Sequence, residues 1–194
     1  MKKVTETFEL LHQLISTNDF LEMKSLGGEI PFFITSFSPK NQIEVDKALK
    51  GLKNKLENQG IAVLEINLYD LAFSILNHEL GEGEIFEIEQ ASDKVEFKDS
   101  LQSVLDVNEV LMPAIKKLID ESSAKLYFLT GIGLVFPFLR SHNILNNLQN
   151  VAKYAPTITF FPGVYDGHSL ELFSLLKDDN YYRAFNIDNY QLKS

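Results

Sequence analysis

A chain of 194 residues, 45% hydrophobic and 11% aromatic, is long and apolar enough for one globular domain with a sizeable core, which excludes a disordered polypeptide. Its formal charge of −9 sets 27 acidic residues against 16 lysines and two arginines, which disfavours non-specific binding to nucleic acid or anionic lipid. The absence of cysteine excludes disulfides, thiolate metal sites and thiol nucleophiles, and fits a reducing compartment.

Val4, Phe8, Leu11 and Ile15 recur at helical spacing, so the first element is an amphipathic helix ending near Ser16 to Asp19. Gly27 and Gly28 release the chain into Ile30 to Ser36, an apolar run of the kind expected of a buried strand. Ser38 and Pro39 suit a helix start, after which Val45, Leu49, Leu52 and Leu56 make one stripe that Gly60 stops. Ile61 to Ile66 is a second strand, and Asn67 can cap a helix running to about Asn77.

From Glu79 to Ser123 the pattern predicts a helical insertion, with short helices near Ile85 to Gln90 and Phe97 to Leu105. A longer helix is predicted from Asn108 to Glu121, with Pro113 in its first turn. Leu126 to Leu129 is a third strand, Leu134 to Gln149 an amphipathic helix and Thr157 to Phe161 a fourth strand. A short helix over Ser169 to Leu176, a turn at Asp178 to Asn180 and a final strand from Tyr181 to Ile187 complete the chain.

Strands separated by helices imply a single α/β domain over residues 1–194, with a mainly parallel sheet of four to five strands and the insertion at about 79–123. The topology is nucleotide-binding-like but degenerate, because no P-loop is present. No window reaches the roughly 18 apolar residues that span a bilayer, and the N-terminus has no apolar leader core. A cytoplasmic protein without a membrane partner is expected.

The stretch from Lys125 to Gly167 carries the most chemistry. Helical geometry at about 100° per residue puts Arg140, Asn143 and Asn147 on one stripe, with Phe138, Leu145 and Leu148 opposite. A chain that otherwise uses lysine has placed the planar five-donor fork of arginine only at Arg140 and Arg183. Each can clamp a carboxylate or phosphate, or bridge internally to Asp166, Asp178 or Asp179, the commoner outcome. The asparagines can read a peptide backbone, a base edge or a carboxylate, or can form a buried network holding the loop over residues 162–168.

Gly131 and Gly133, in the turn Thr130 to Gly133, can offer backbone amides to an anion at a helix N-terminus. The simpler reading is a tight turn, since Phe136 stands where a dinucleotide fingerprint needs its third glycine. Asp166, His168 and Ser169 gather a carboxylate, an imidazole and a hydroxyl, with His142 adding a second imidazole from the helix. Asp166 and Ser169 read more simply as a turn residue and a helix cap, and His142 as a hydrogen-bonded core histidine. No catalytic set, metal-ligand series or cofactor motif emerges.

The blocks FLTGIGLVFPFLRSHNILNNLQ (residues 128–149), FFPGVYDGHSLELF (160–173) and DDNYYRAFNI (178–187) resemble the BrxB-type small component of bacteriophage exclusion (BREX) defence systems. GGEIPFFI (27–34) and GIAVLEINLYDL (60–71) extend the resemblance over nearly the whole chain, least well from Gly81 to Asp106. It implies a cytoplasmic protein encoded beside a large ATPase, a DNA methyltransferase and a PglZ-type protein of the alkaline phosphatase superfamily. The PglZ-type protein is the implied direct partner, with the other BREX components as further associates.

The leading expectation is a non-catalytic assembly subunit presenting Arg140, Asn143 and Asn147, with Tyr165 and the loop from Asp166 to Ser169, to a protein partner. A second is a binder of, or enzyme acting on, a phosphorylated or nucleotide-like small molecule, with Arg140 and Arg183 as anion clamps and His142 or His168 as acid–base groups. A third is a DNA-associated subunit using a local patch, which requires salt-dependent binding despite the net charge.

Overall fold

In the computed structural model, residues 3–24, 30–178 and 182–190 are described. Strands β1 (Phe32–Phe37), β2 (Val63–Asn67), β3 (Leu126–Thr130), β4 (Thr157–Tyr165) and β7 (Phe185–Asn186) form a sheet in the order β2-β3-β4-β1-β7. Every pairing among these five is parallel, as crossover connections through helices require. The far end of β4 leaves this array and pairs antiparallel with β5 (Leu170–Leu172), which pairs with β6 (Leu176–Asp178).

Alternation along the strands divides the interior. Phe33, Phe128, Ile158 and Phe160 face one side, where helices α1 (Val4–Ile15) and α3 (Gln42–Asn58) bring Leu11, Ile15, Leu49, Leu52 and Leu56. Phe32, Ile34, Tyr127, Leu129 and Phe161 face the other, beneath α4 (Leu68–Leu80), α7 (Met112–Asp120) and α8 (Ser141–Val151). A short helix, α2 (Asn18–Leu21), seats Phe20 against Phe33, with ring centroids 4.7 Å apart.

The expected α/β architecture with a mainly parallel sheet is present. Between β2 and β3 the chain is helical: α4, α5 (Glu84–Ala91), α6 (Lys94–Val104), a π-helix at Val107–Leu111 and α7 follow one another. Ile85, Leu101 and Leu105 from this stretch join the same buried cluster as the sheet. The predicted helix from Asn108 thus begins as a π-turn, capped by Asp106, and Pro113 falls in the first turn of α7. Ser38 makes no capping bond; a 3₁₀ turn over Pro39–Asn41 leads into α3 instead.

Three predicted elements differ. The helix expected from Leu134 starts at Ser141, because residues 131–140 pack as irregular turns around the buried Ile132, Val135 and Leu139. The helix expected over Ser169 to Leu176 is the β5–β6 hairpin, whose turn holds Phe173 and Ser174 at φ 58° and 57°. Leu170 and Leu172 both point inward at period two, and pairing with β4 supplies the backbone partners a short helix would lack. The final strand is reduced to Phe185–Asn186; Gly27, Gly28, Asp179, Asn180 and Tyr181 lie outside the described residues.

Asn67 joins strand to helix as the sequence suggests: its Oδ1 accepts the backbone N–H of Tyr69 at 3.0 Å and of Asp70 at 3.4 Å. Asn67→Ala removes that cap and is expected to destabilise the fold by about 1 kcal/mol, a thermal shift of about 2–4 °C, whereas Asn67→Asp retains most of it. Thermal melts of the two variants check this.

Candidate functional site

Arg140 occupies the N-cap of α8, a position that favours small oxygen-bearing side chains, and it makes no capping bond. Its positive charge also sits at the positive end of the helix dipole. Neither effect stabilises α8, so helix formation does not explain an arginine there. The side chain is exposed, and among the described residues its guanidinium has no ion-pair or hydrogen-bond partner.

Asn143 is exposed, one turn along from Arg140, and Asn147 donates from Nδ2 to the Asn143 carbonyl at 2.8 Å. The three residues line one wall of a groove of about 410 Å³, whose other wall includes Asp106, Val107 and Asn108. Asp106 Oδ1 is engaged by the N–H groups of Asn108 (2.9 Å) and Glu109 (2.7 Å). Two ties cross the groove's end: Gln102 Nε2 donates to the Pro137 carbonyl at 3.0 Å, and Phe97 meets Phe138 edge-on with centroids 5.9 Å apart. Leu145 and Leu148 are buried on the opposite face, as the periodicity indicates, whereas Phe138, expected with them, precedes α8 and lines the groove together with Arg140.

The remaining candidates do not join this groove. His142 Nδ1 lies 3.0 Å from Asp178 Oδ2, which also accepts the Tyr182 hydroxyl at 2.6 Å. Burial, and then that carboxylate, hold the Tyr182 phenol above the ordinary tyrosine range. Tyr165 is buried and donates from its hydroxyl to the Ala184 carbonyl at 2.7 Å, while its own carbonyl accepts from Asn186 Nδ2 at 3.2 Å. These contacts fasten the C-terminal strand to β4 and α8.

Asp166 closes an Asx turn: Oδ1 accepts the N–H groups of Ser169 (2.7 Å) and His168 (2.8 Å), and Oδ2 the Ser169 hydroxyl (3.0 Å). Those bonds, led by the Ser169 and His168 amides, lower its pKa to about 2. His168 is exposed, and its carbonyl accepts the Tyr182 N–H at 3.2 Å.

Arg183 is exposed beside the other end of α8, where its carbonyl accepts from Gln149 at 3.2 Å. Gln149 lies nine residues beyond Arg140, roughly 13 Å of helical rise, so the two arginines stand toward opposite ends of α8. Neither arginine forms the expected internal bridge among the described residues: Asp178 and Asp166 serve other donors, and Asp179 lies outside those residues.

The glycine turn packs. A Cβ on Gly131, at φ 75°, would stand 2.5 Å from Asn67 Oδ1, and one on Gly133 would stand 2.8 Å from the Pro162 ring. Because α8 starts only at Ser141, the turn does not present amides at that helix's N-terminus. Among the described residues no group of three or more acidic or histidine side chains is placed to hold a metal ion, and no helix is long and apolar enough to cross a membrane.

The sequence candidates do not include Glu65, the one charged residue in the Ile61 to Ile66 strand. Its Oε1 accepts the buried Thr130 hydroxyl at 3.2 Å and its Oε2 lies 3.4 Å from Lys53 Nζ. The three floor a crevice of about 580 Å³ between α3 and the carboxyl ends of β2 and β3. An acid inside an apolar strand was the signal available in the sequence.

Residues 64–187 match the family described as BREX protein BrxB. A BREX protein BrxB of Bacillus cereus (strain H3081.97) is 33% identical over 191 residues, covering 96% of this chain and 98% of the relative. A BREX protein BrxB of Escherichia coli O9:H4 (strain HS) is 30% identical over 177 residues, covering 89% and 86%. No solved structure matches the chain.

The Asx turn has a pH signature. Because the folded Asp166 carboxyl titrates below its ordinary value of 3.8, its support for the loop is complete at neutral pH and is lost as pH falls through about 2. An NMR titration of the carboxyl carbon is expected to give a midpoint near 2; a midpoint near 3.8 contradicts the bonding described.

Proposed function

This chain belongs to the BrxB family of BREX proteins, and on that premise we propose that it is a non-catalytic assembly subunit of a bacteriophage-exclusion complex. Its direct partner on this reading is the PglZ-type protein of the same defence system. The observation that carries the proposal is Arg140: exposed, without an internal ion pair among the described residues, and placed where it opposes the helix it begins. A guanidinium without an internal partner, at a position its helix does not favour, is available to another molecule.

Two further observations favour assembly over phosphate chemistry. The glycine turn lines the crevice beside α3 but has no room for side chains and opens no helix N-terminus, and the arginines stand toward opposite ends of α8. A net charge of −9 weighs against a DNA-tracking surface.

Arg140→Asn separates the structural role from the functional one. Asparagine caps a helix and removes the charge from its positive end, so the melting temperature is expected to hold or to rise by about 2 °C. Co-purification with the PglZ-type protein is expected to be lost. A variant that melts markedly lower makes the arginine structural, and undiminished co-purification refutes its role in assembly.

A further inference from the structure

The groove beside α8 has walls of different construction. One is the stripe of Arg140, Asn143 and Asn147; the other carries Asp106 and the π-helix, a local widening of the backbone that in folded chains often accompanies functional sites. Resting on the assembly reading above, we infer that this groove seats an extended segment of the partner protein that bears an aspartate or glutamate opposite Arg140.

Register supports an extended chain. Asn143 and Asn147 are four helical residues apart, a rise of about 6 Å, close to the roughly 6.6 Å between alternate residues of an extended strand. A side-chain amide carries one acceptor and a donor pair, the same complement a peptide group needs. The bond from Asn147 Nδ2 to the Asn143 carbonyl fixes the orientation of that amide. Its Oδ1 has no hydrogen-bond partner among the described residues and can accept a peptide N–H from the incoming segment. Asn108 faces the same space from the opposite wall.

Charge selects the side chain. Arg140 is the cation among the groove's lining residues, and its fork matches a carboxylate through two parallel hydrogen bonds. Asp106, the acid in the lining, accepts the Asn108 and Glu109 amides on Oδ1 and forms no ion pair with Arg140 among the described residues. One cation beside an acid, on a chain of charge −9, is a poor track for a nucleic-acid backbone.

The test uses the full chain co-expressed with the PglZ-type protein, carrying a photo-crosslinking amino acid in place of Asn108. Mass spectrometry is expected to map the crosslink to one segment of the partner that contains an acidic residue. Asn143→Ala combined with Asn147→Ala is expected to weaken the complex ten-fold or more without changing the melt. Arg140→Glu is expected to abolish the complex, and reversing the crosslinked acid to arginine on the partner is expected to restore it. An intact complex with the paired asparagine variant, or a crosslink to nucleic acid, overturns the groove inference while leaving assembly standing. Failure of the unaltered chain to bind the PglZ-type protein overturns the assembly reading itself.

Discussion

Two-sided burial of a parallel sheet is the constraint on which the rest depends. Every residue of β3 is buried, and β4 is buried from Thr157 to Gly163 before Val164 emerges. Strands covered on both faces cannot present side chains to a partner, and they require helical crossovers to run in one direction. Thr157 and Thr159 lie in the interior, and their hydroxyls have no hydrogen-bond partner among the described residues. The surfaces left open to another molecule are the outer face of α8, the strand ends and the loops.

Some of the lysines pair within the chain: Lys53 meets Glu65, Lys98 meets Asp99 at 3.0 Å, and Lys24 meets Glu22 at 2.7 Å. Most of these pairs are solvent-exposed and contribute little to stability. The arginines make no such pairs among the described residues, although internal bridging was the outcome their frequency alone would favour. Arg140 is the sharper case, because its location also works against α8.

Much of the architecture was legible because burial imposes a period. The stripe Val45, Leu49, Leu52, Leu56 and the continuous run Leu126 to Leu129 each match only one element type, and Asn67 announces its helix by a capping chemistry with few alternatives. The segment before α8 was misread because Leu134 and Phe138 extend a helical pattern that turns can also satisfy. The β5–β6 hairpin was misread because Leu170, Leu172 and Phe173 suit either period, and its turn relies on positive φ at Phe173 and Ser174, which propensity does not foretell. Of the site, the stripe on α8 was readable from one helix alone. Its opposite wall was not, since Asp106 and Asn108 reach Arg140 only through tertiary packing, and the Glu65 to Lys53 and Thr130 contacts likewise join three separate elements.

The bond from Gln102 to the Pro137 carbonyl and the edge contact of Phe97 with Phe138 have an effect beyond packing. They set the spacing between α6 and the approach to α8 before anything enters. A receptor shaped in advance loses little conformational freedom on association. Affinity at such a slot is governed chiefly by the entropy of the visitor, so a rigid strand would be held more tightly than the same residues on a slack tether.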